Sequence, residues 1–296
     1  MSTLEPRVVV VTRRSAYREL LDRHGTPGAV AFFLRDRDPD ELDVLRSRHD
    51  AWAAALDTVQ AALPRSWRTG RADREELAAF PFGDGDIVVA VGPDGLVANV
   101  AKYLDGQPVI GVDPQEPAVL ARHRPEDVAA VLRAVVAGTA AVQDRQMVVA
   151  ELDDGQHMRG LNEVFVGDRG HQSARYLLRL PDGRGEPQSS SGVVVGTGTG
   201  ATGWCASLVR GVAAPPRLPD PAEQALCWFV REAWPSPTTG AELVAGRLEQ
   251  GERLELTVGS DSLVVFSDGG EADRLTAVRG QRVTIGLDEQ RLRLVG

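Results

Sequence analysis

Two patterns of hydrophobic periodicity divide this chain near residue 145, and one layer architecture does not accommodate both. Before that point, short apolar runs alternate with stretches at helical spacing. Arg7 to Thr12 (RVVVVT) reads as a buried strand feeding a helix, and Ala29 to Leu34 (AVAFFL) as a second strand. From about Pro39 to Leu63, the spacings of Leu42, Leu45, Ala53, Leu56, Val59 and Leu63 predict a helix that packs on a core. Asp86 to Val91 (DIVVAV) is a third strand, ending in Gly92-Pro93-Asp94-Gly95 and a helical LVANVAKYL; the strand PVIGVDP follows a Gly-Gln-Pro turn. Such alternation predicts a parallel sheet with helices on its faces, whose ligands bind beyond the carboxyl ends of the strands.

From about Met147 the runs shorten and are separated by Asp-Gly and Gly turns: MVVAEL, NEVFVG, ARYLLRL, GVVVG, ERLELTVG, SLVVFSDG, QRVTIGLD and QRLRLVG. Closely spaced strands of this kind predict an antiparallel, sandwich-like region. Ala213 to Pro221 is a proline-rich loop, and Gln224 to Glu232 fits either a helix or a strand. The expected fold is therefore α/β plus β: a Rossmann-like α/β domain over 1–145 and an antiparallel β-sandwich domain over 146–296, with the chain end free to return to the first.

The formal charge of −9 supplies no polybasic surface for DNA, RNA or an anionic bilayer, so neither nucleic acid nor membrane is an expected partner. Local arginine clusters can still hold a small phosphorylated ligand. Cys205 and Cys227 form no metal-binding spacing and no disulfide framework, which fits a reducing cytosol and predicts no protein-held metal. The N-terminal apolar run is too short for a signal peptide, and no segment approaches the ~20 apolar residues of a membrane span. A cytoplasmic location is the expectation.

Three stretches carry chemistry. In Gly92-Pro93-Asp94-Gly95, glycine backbone approaches a phosphate closely, and an Asp there can take a hydroxyl proton or help position Mg²⁺; the plain alternative is a tight turn. Asn162-Glu163, at the start of a strand, offers donors and acceptors able to grip two ribose hydroxyls, or is a solvated turn. In Ser189 to Trp204, a strand opens into Gly196-Thr197-Gly198-Thr199-Gly200-Ala201-Thr202-Gly203. Backbone donors and hydroxyls of that loop suit phosphate or ribose, and a helix starting near Ala201 would add its dipole; so many glycines weaken a strand and need a compensating reason. Arg231, in FVREAWPSPTTG, can hold a phosphate in bidentate fashion or form a surface ion pair. Lys102 and Arg175 are weaker phosphate candidates, and His157 and His171 read as ordinary polar residues.

In this order and spacing the stretches resemble the NAD kinase superfamily, over roughly residues 84 to 296. Its Gly-Gly-Asp-Gly turn is similar to Gly92-Pro93-Asp94-Gly95, its Asn-Glu pair to Asn162-Glu163 and its threonine-glycine loop to Thr197 to Thr202; a late Asp-Gly recurs as Asp268-Gly269. NEVFVG, Ser190-Ser191-Gly192 and Thr-Gly-Thr-Gly resemble the mitochondrial-type members and their bacterial relatives most. The resemblance implies an ATP- and Mg²⁺-dependent kinase of NAD(H), the Mg²⁺ carried with ATP, and a homo-oligomer. It implies Asp94 as catalytic base; Gly92, Gly95, Thr197, Gly198, Thr199, Gly200 and Thr202 around nucleotide and phosphate; and Asn162, Glu163, Ser191, Thr202 and Arg231 around NAD. Pro93 replaces a glycine and removes one N–H donor, and Ser191 stands where many relatives have Asp. A kinase of another hydroxyl acceptor (sugar, nucleoside or lipid) and a non-catalytic NAD/ATP sensor are the alternatives.

Overall fold

An apolar run that is buried on both faces belongs in the middle of a parallel sheet, and the N-terminal runs meet that condition. The computed structural model describes residues 6–35, 40–116 and 118–296, with backbone only at 271 and 272. The fold is mixed α/β with two sheets, and the chain divides into one unit of Met1–Gln143 with Arg293–Gly296 and another of Asp144–Leu292.

The first unit contains β1 (Arg7–Thr12), α1 (Ala16–His24), α2 (Pro27–Leu34), α3 (Glu41–Ala62), β2 (Arg68–Asp73), β3 (Asp86–Val91), α4 (Asp94–Ala101), β4 (Pro108–Val112) and α5 (Val128–Val136). Its strands run in the order β2-β1-β3-β4, all parallel, and Arg293 and Leu294 pair in parallel with Pro108 and Val109 of β4. Val8, Val10, Ile87, Val89 and Ile110 meet Leu56 and Val59 of α3 and Leu132 of α5 in one buried cluster; the alternate residues Val9, Val11, Val88 and Ala90 are buried on the other face. β2 (RTGRAD) has no apolar pattern. It is a largely exposed edge strand held by its pairing with β1.

Ala29 to Leu34 is not a strand but the body of α2. Thr26 Oγ1 accepts from Ala29 N at 3.1 Å, Pro27 takes the first helical turn, and Val30 and Leu34, four residues apart, bury against Tyr17. A short all-apolar run fits either period, and the Thr-Pro start decides for helix. The helix expected from about Pro39 is α3; Pro39 itself lies outside the described residues.

After β5 (Val142–Leu152), the second unit contains β6 (His157–Gly160), β7 (Glu163–Gly167), β8 (Ala174–Arg179), β9 (Gly185–Ser190), β10 (Gly192–Gly196), α6 (Trp204–Leu208), β11 (Ala225–Arg231), β12 (Ala245–Glu249), β13 (Arg253–Val258), β14 (Ser262–Ser267), β15 (Gly270–Val278) and most of β16 (Arg282–Val295). One set pairs in the order β16-β13-β8-β9, with β5 joining β16 to β6; the other runs β12-β11-β10-β7-β14-β15, antiparallel throughout. Leu178, Leu254, Leu256 and Ile285 of the first set share one core cluster with Val164, Val166, Val193, Val195 and Leu226 of the second. The alternate residues Phe165, Val194, Cys227 and Phe229 face a second cluster with Cys205 and Trp204. QRVTIGLD and QRLRLVG, read as two strands, are one continuous β16, and Gln224 to Glu232 is largely the strand β11.

Arg7 closes β1 onto β3: its Nε and Nη2 donate to Asp86 Oδ1 and Oδ2 at 2.8 and 2.6 Å, and Gly83 N donates to Oδ2 at 2.7 Å. Asp86 is 4% exposed. Arg7→Ala leaves this buried carboxylate with a single backbone donor, so the urea unfolding free energy is expected to fall by about 2 kcal/mol.

Candidate functional site

Because β1, β3 and β4 are parallel, their carboxyl ends lie on one edge of the sheet, where the chain leaves through Arg13-Arg14-Ser15, Gly92-Pro93 and Asp113-Pro114-Gln115. These three segments, with Leu45, Arg48 and Trp52 of α3, line a cavity of about 260 Å³. Arg14 pairs with Asp22 at 3.3 Å, whereas Arg13 and Arg48 make no ion pair among the described residues. The Trp52 ring stacks on His49, and its Nε1 is buried without a hydrogen-bond partner among the described residues. Three cations, an unmet donor and an apolar wall suit a polyanion carrying a flat ring. The sequence reading missed these residues. Arg13 and Arg14 follow a buried strand as directly as Gly92 does, which was a usable signal; Arg48 and Trp52 sit in a helix whose pattern announces only packing.

Asp94 is the first residue of α4, but its carboxylate is turned onto the neighbouring loop. Oδ1 accepts from Leu120 N and Ala121 N at 2.9 and 2.8 Å, and Oδ2 from Val119 N at 3.1 Å. Three of roughly four acceptor positions are thus occupied. The loop can lie against β4 because Gly111 has no side chain: a Cβ there would stand 2.3 Å from Leu120 O. Gly95, by contrast, faces open space, with nothing within 4 Å of a Cβ position.

In the second unit the Asn162-Glu163 turn and the threonine-glycine loop form one hydrogen-bonded body. Thr197 N donates to Asn162 O at 2.9 Å and Thr197 Oγ1 to Leu161 O at 2.6 Å; the same hydroxyl accepts from Thr199 N at 3.1 Å and Gly200 N at 3.3 Å. The glycines have packing reasons. A Cβ at Gly196 would meet Cys205 Sγ at 2.3 Å, one at Gly198 would meet Asp220 O at 1.9 Å, and one at Gly200 would meet Asn162 O at 2.2 Å. Thr199 Oγ1 is buried with no partner among the described residues, and Thr202 is exposed. The helix anticipated near Ala201 is a 3₁₀ turn over Gly200–Thr202 followed by the five-residue α6.

Glu163 lies half-buried at the start of β7, opposite Gly196 of β10. Burial, and after it the charge of Asp268, pushes its carboxyl up to about 8. At neutral pH it is therefore largely protonated and can donate a hydrogen bond as well as accept one.

Ser191 and Arg231 are not part of this body. They sit at the other end of β10, roughly 20 Å from Thr197 by strand rise, where Ser191 N donates to Arg231 O at 2.9 Å. There they line a cavity of about 460 Å³ with Arg169, His171 and Arg274, on a floor of Phe165 and Phe266. Arg231 also lies over the Trp204 ring, 5.5 Å from its centroid, and 3.5 Å from Glu232. Of the weaker candidates, Lys102 is buried beside Tyr103, and Arg175 uses its backbone to hold Gly259 and Ser260.

No family model matches the chain. Over 259 residues, 84% of its length, it is 29% identical to a NAD kinase of Haloarcula marismortui, covering 80% of that protein. A NAD kinase of Halobacterium salinarum is 29% identical over 206 residues, 66% of this chain and 70% of that one. One of Chlorobaculum tepidum is 24% identical over 187 residues, 62% of this chain and 66% of that one, just under two thirds of its length. Over most of its length the chain is thus similar to NAD kinases. Of the superfamily-like stretches, the glycine-rich turn stands in the first unit, and the Asn-Glu pair and threonine-glycine loop are bonded together in the second.

Two measurements follow from the packing and the charge. Gly198→Ala drives a methyl into backbone and is expected to lower stability by more than about 2 kcal/mol, whereas Gly95→Ala stays within about 1 kcal/mol of wild type in thermal unfolding. For Glu163, whose ordinary value is 4.5, the unfolded chain ionises on passing 4.5 while the folded one holds its proton to about 8. Its contribution is therefore lost progressively as pH rises across that window. Urea unfolding from pH 5 to 8 should show wild type losing stability relative to Glu163→Gln, with no further divergence above pH 8.

Proposed function

We propose that this chain is a NAD kinase, transferring the γ-phosphoryl group of ATP to the adenosine-ribose 2′-hydroxyl of NAD(H) to give NADP(H). The observation that carries the reading is the bonded body of Asn162-Glu163 and Thr197 to Thr202, which offers ribose-compatible donors and acceptors in a chain similar to NAD kinases over most of its length. In this reading the first unit is a Rossmann-like nucleotide domain and the second a β-sandwich that binds NAD. ATP enters as its Mg²⁺ complex, the ion held mainly by phosphate oxygens and water. Arg13, Arg14 and Arg48 neutralise its phosphates beside Gly92 and Gly95. In the transfer, the 2′-oxygen forms a bond to the γ-phosphorus, the bond to the ADP oxygen breaks, and the hydroxyl proton passes to Asp94. Asn162, the protonated Glu163 and the Thr199 and Thr202 hydroxyls hold the dinucleotide, with Ser191 and Arg231 contributing from the far end of β10. A cytoplasmic homo-oligomer is part of the same reading.

One observation favours a second reading, a sensor that binds nucleotides without turnover: the Asp94 carboxylate is committed to the 119–121 loop, and Pro93 has removed a donor from the phosphate turn. Purified protein with ATP, Mg²⁺ and NAD, assayed for NADP through a dehydrogenase, decides between them. NADP formation that Asp94→Asn lowers by about 10²-fold or more is the expected result. NAD binding with no product supports the sensor, and ADP release only with a different alcohol supports a kinase of another acceptor.

A further inference from the structure

Asp268 and Gly269 join β14 to β15 as a two-residue hairpin turn, both with positive φ, 50° and 66°. Asn and Asp serve such a turn equally well, so the turn alone does not require a carboxylate. The side chain nevertheless leaves its own hairpin. Oδ1 accepts from Asn162 N at 2.7 Å and Glu163 N at 3.3 Å, Oδ2 accepts from Leu161 N at 2.8 Å, and Asp268 N donates to Glu163 O at 3.2 Å.

The turn that Asp268 holds by its N–H groups is held by its carbonyls as well. Leu161 O and Asn162 O accept from Thr197, whose hydroxyl accepts in turn from Thr199 N and Gly200 N. A continuous series of short bonds therefore runs from one carboxylate, through the 161–163 turn, to the threonine-glycine loop. The arrangement sets a negative charge near the half-buried Glu163, a cost that a pure hairpin turn could avoid with Asn.

We propose that Asp268 is a positioning residue for the dinucleotide: without touching the ligand, its carboxylate fixes the 161–163 turn and, through Thr197, the 197–202 loop in the conformation that binds NAD(H). This rests on the NAD kinase reading for the identity of the ligand, but not for the coupling of the two segments.

Asp268→Asn keeps a residue suited to the turn and exchanges one accepting oxygen for a donor. Amide hydrogen exchange is expected to accelerate about tenfold or more at 161–163 and at 199–200 while the β14–β15 hairpin keeps its protection; the KM for NAD should rise about tenfold with the KM for ATP and kcat changed by less than about threefold. Thr197→Val breaks only the second joint, so it should free 199–200 and leave 161–163 protected. Unchanged exchange at both segments and an unchanged KM for NAD in Asp268→Asn would overturn the proposal. So would loss of hairpin protection together with theirs, which makes Asp268 a residue of the fold. If the wild-type enzyme forms no NADP, the NAD reading fails, and the exchange data still decide whether Asp268 positions these segments.

Discussion

The hydroxyl of Thr197 is the interaction on which the second unit's site depends. A threonine hydroxyl has one donor and two acceptor positions, and here the donor goes to Leu161 O while two backbone N–H groups of the following turn fill the acceptors. The side chain is fully buried, so no water competes for these bonds and leaving any one unmet would cost the full desolvation of the group. The chain can fold this tightly only if no Cβ stands between the segments, which is why glycine precedes Thr197 and recurs at 198 and 200. Access for a phosphate is one use of a glycine-rich loop; close approach of the loop to Asn162, Cys205 and Asp220 is the use visible in its packing.

The first unit solves a different problem, concentrating positive charge in a chain whose net charge is −9. Parallel strands do this without a basic surface, because consecutive strand ends deliver their loops to the same edge. Arg13 and Arg14 arrive from β1, and Arg48 comes from α3, packed against the same sheet. Asp94 then has a structural duty beside any chemical one. Its carboxylate gathers three N–H groups of the 119–121 loop, and that loop runs along β4 through paired bonds between His123 and Gly111 and between Asp113 and His123. A substitution at Asp94 therefore acts on the 119–121 loop and, through the bonds of His123 to Gly111 and Asp113, on the segment that follows β4.

The parts of the fold legible in the sequence are those where a local pattern has one physical solution. RVVVVT, DIVVAV and PVIGV are strands because continuous β-branched runs of that length bury on both faces, and GVVVG and EVFVG follow suit. AVAFFL misleads because six apolar residues satisfy both periods, and only Thr26-Pro27 ahead of them selects the helix. RTGRAD is unreadable for the opposite reason: an exposed edge strand is specified by its neighbour's hydrogen bonds, not by its own side chains. In the site, Asn162-Glu163 and the threonine loop were visible as compositions, but their union was not. It is made by backbone carbonyls and a buried hydroxyl, and backbone leaves no signature in a sequence. Ser191 and Arg231, grouped with them by analogy, are separated by the length of β10 itself.

The Glu163–Asp268 pair shows how such a site keeps two carboxyl groups close without unfolding. Asp268 accepts three N–H bonds, which stabilise its negative charge, while Glu163 has burial and that charge both acting against its ionisation. The proton therefore resides on Glu163 up to a pH of about 8, and the pair carries a single negative charge at neutrality. The consequence is chemical. A neutral carboxyl beside the Asn162 amide presents both donors and acceptors, the complement of vicinal hydroxyls, each of which donates once and accepts twice. An ionised Glu163 would present acceptors only and would repel an anionic ligand at the same range. The carboxylate of Asp268 thus holds the backbone of the turn while its charge adds to burial in keeping the proton on Glu163.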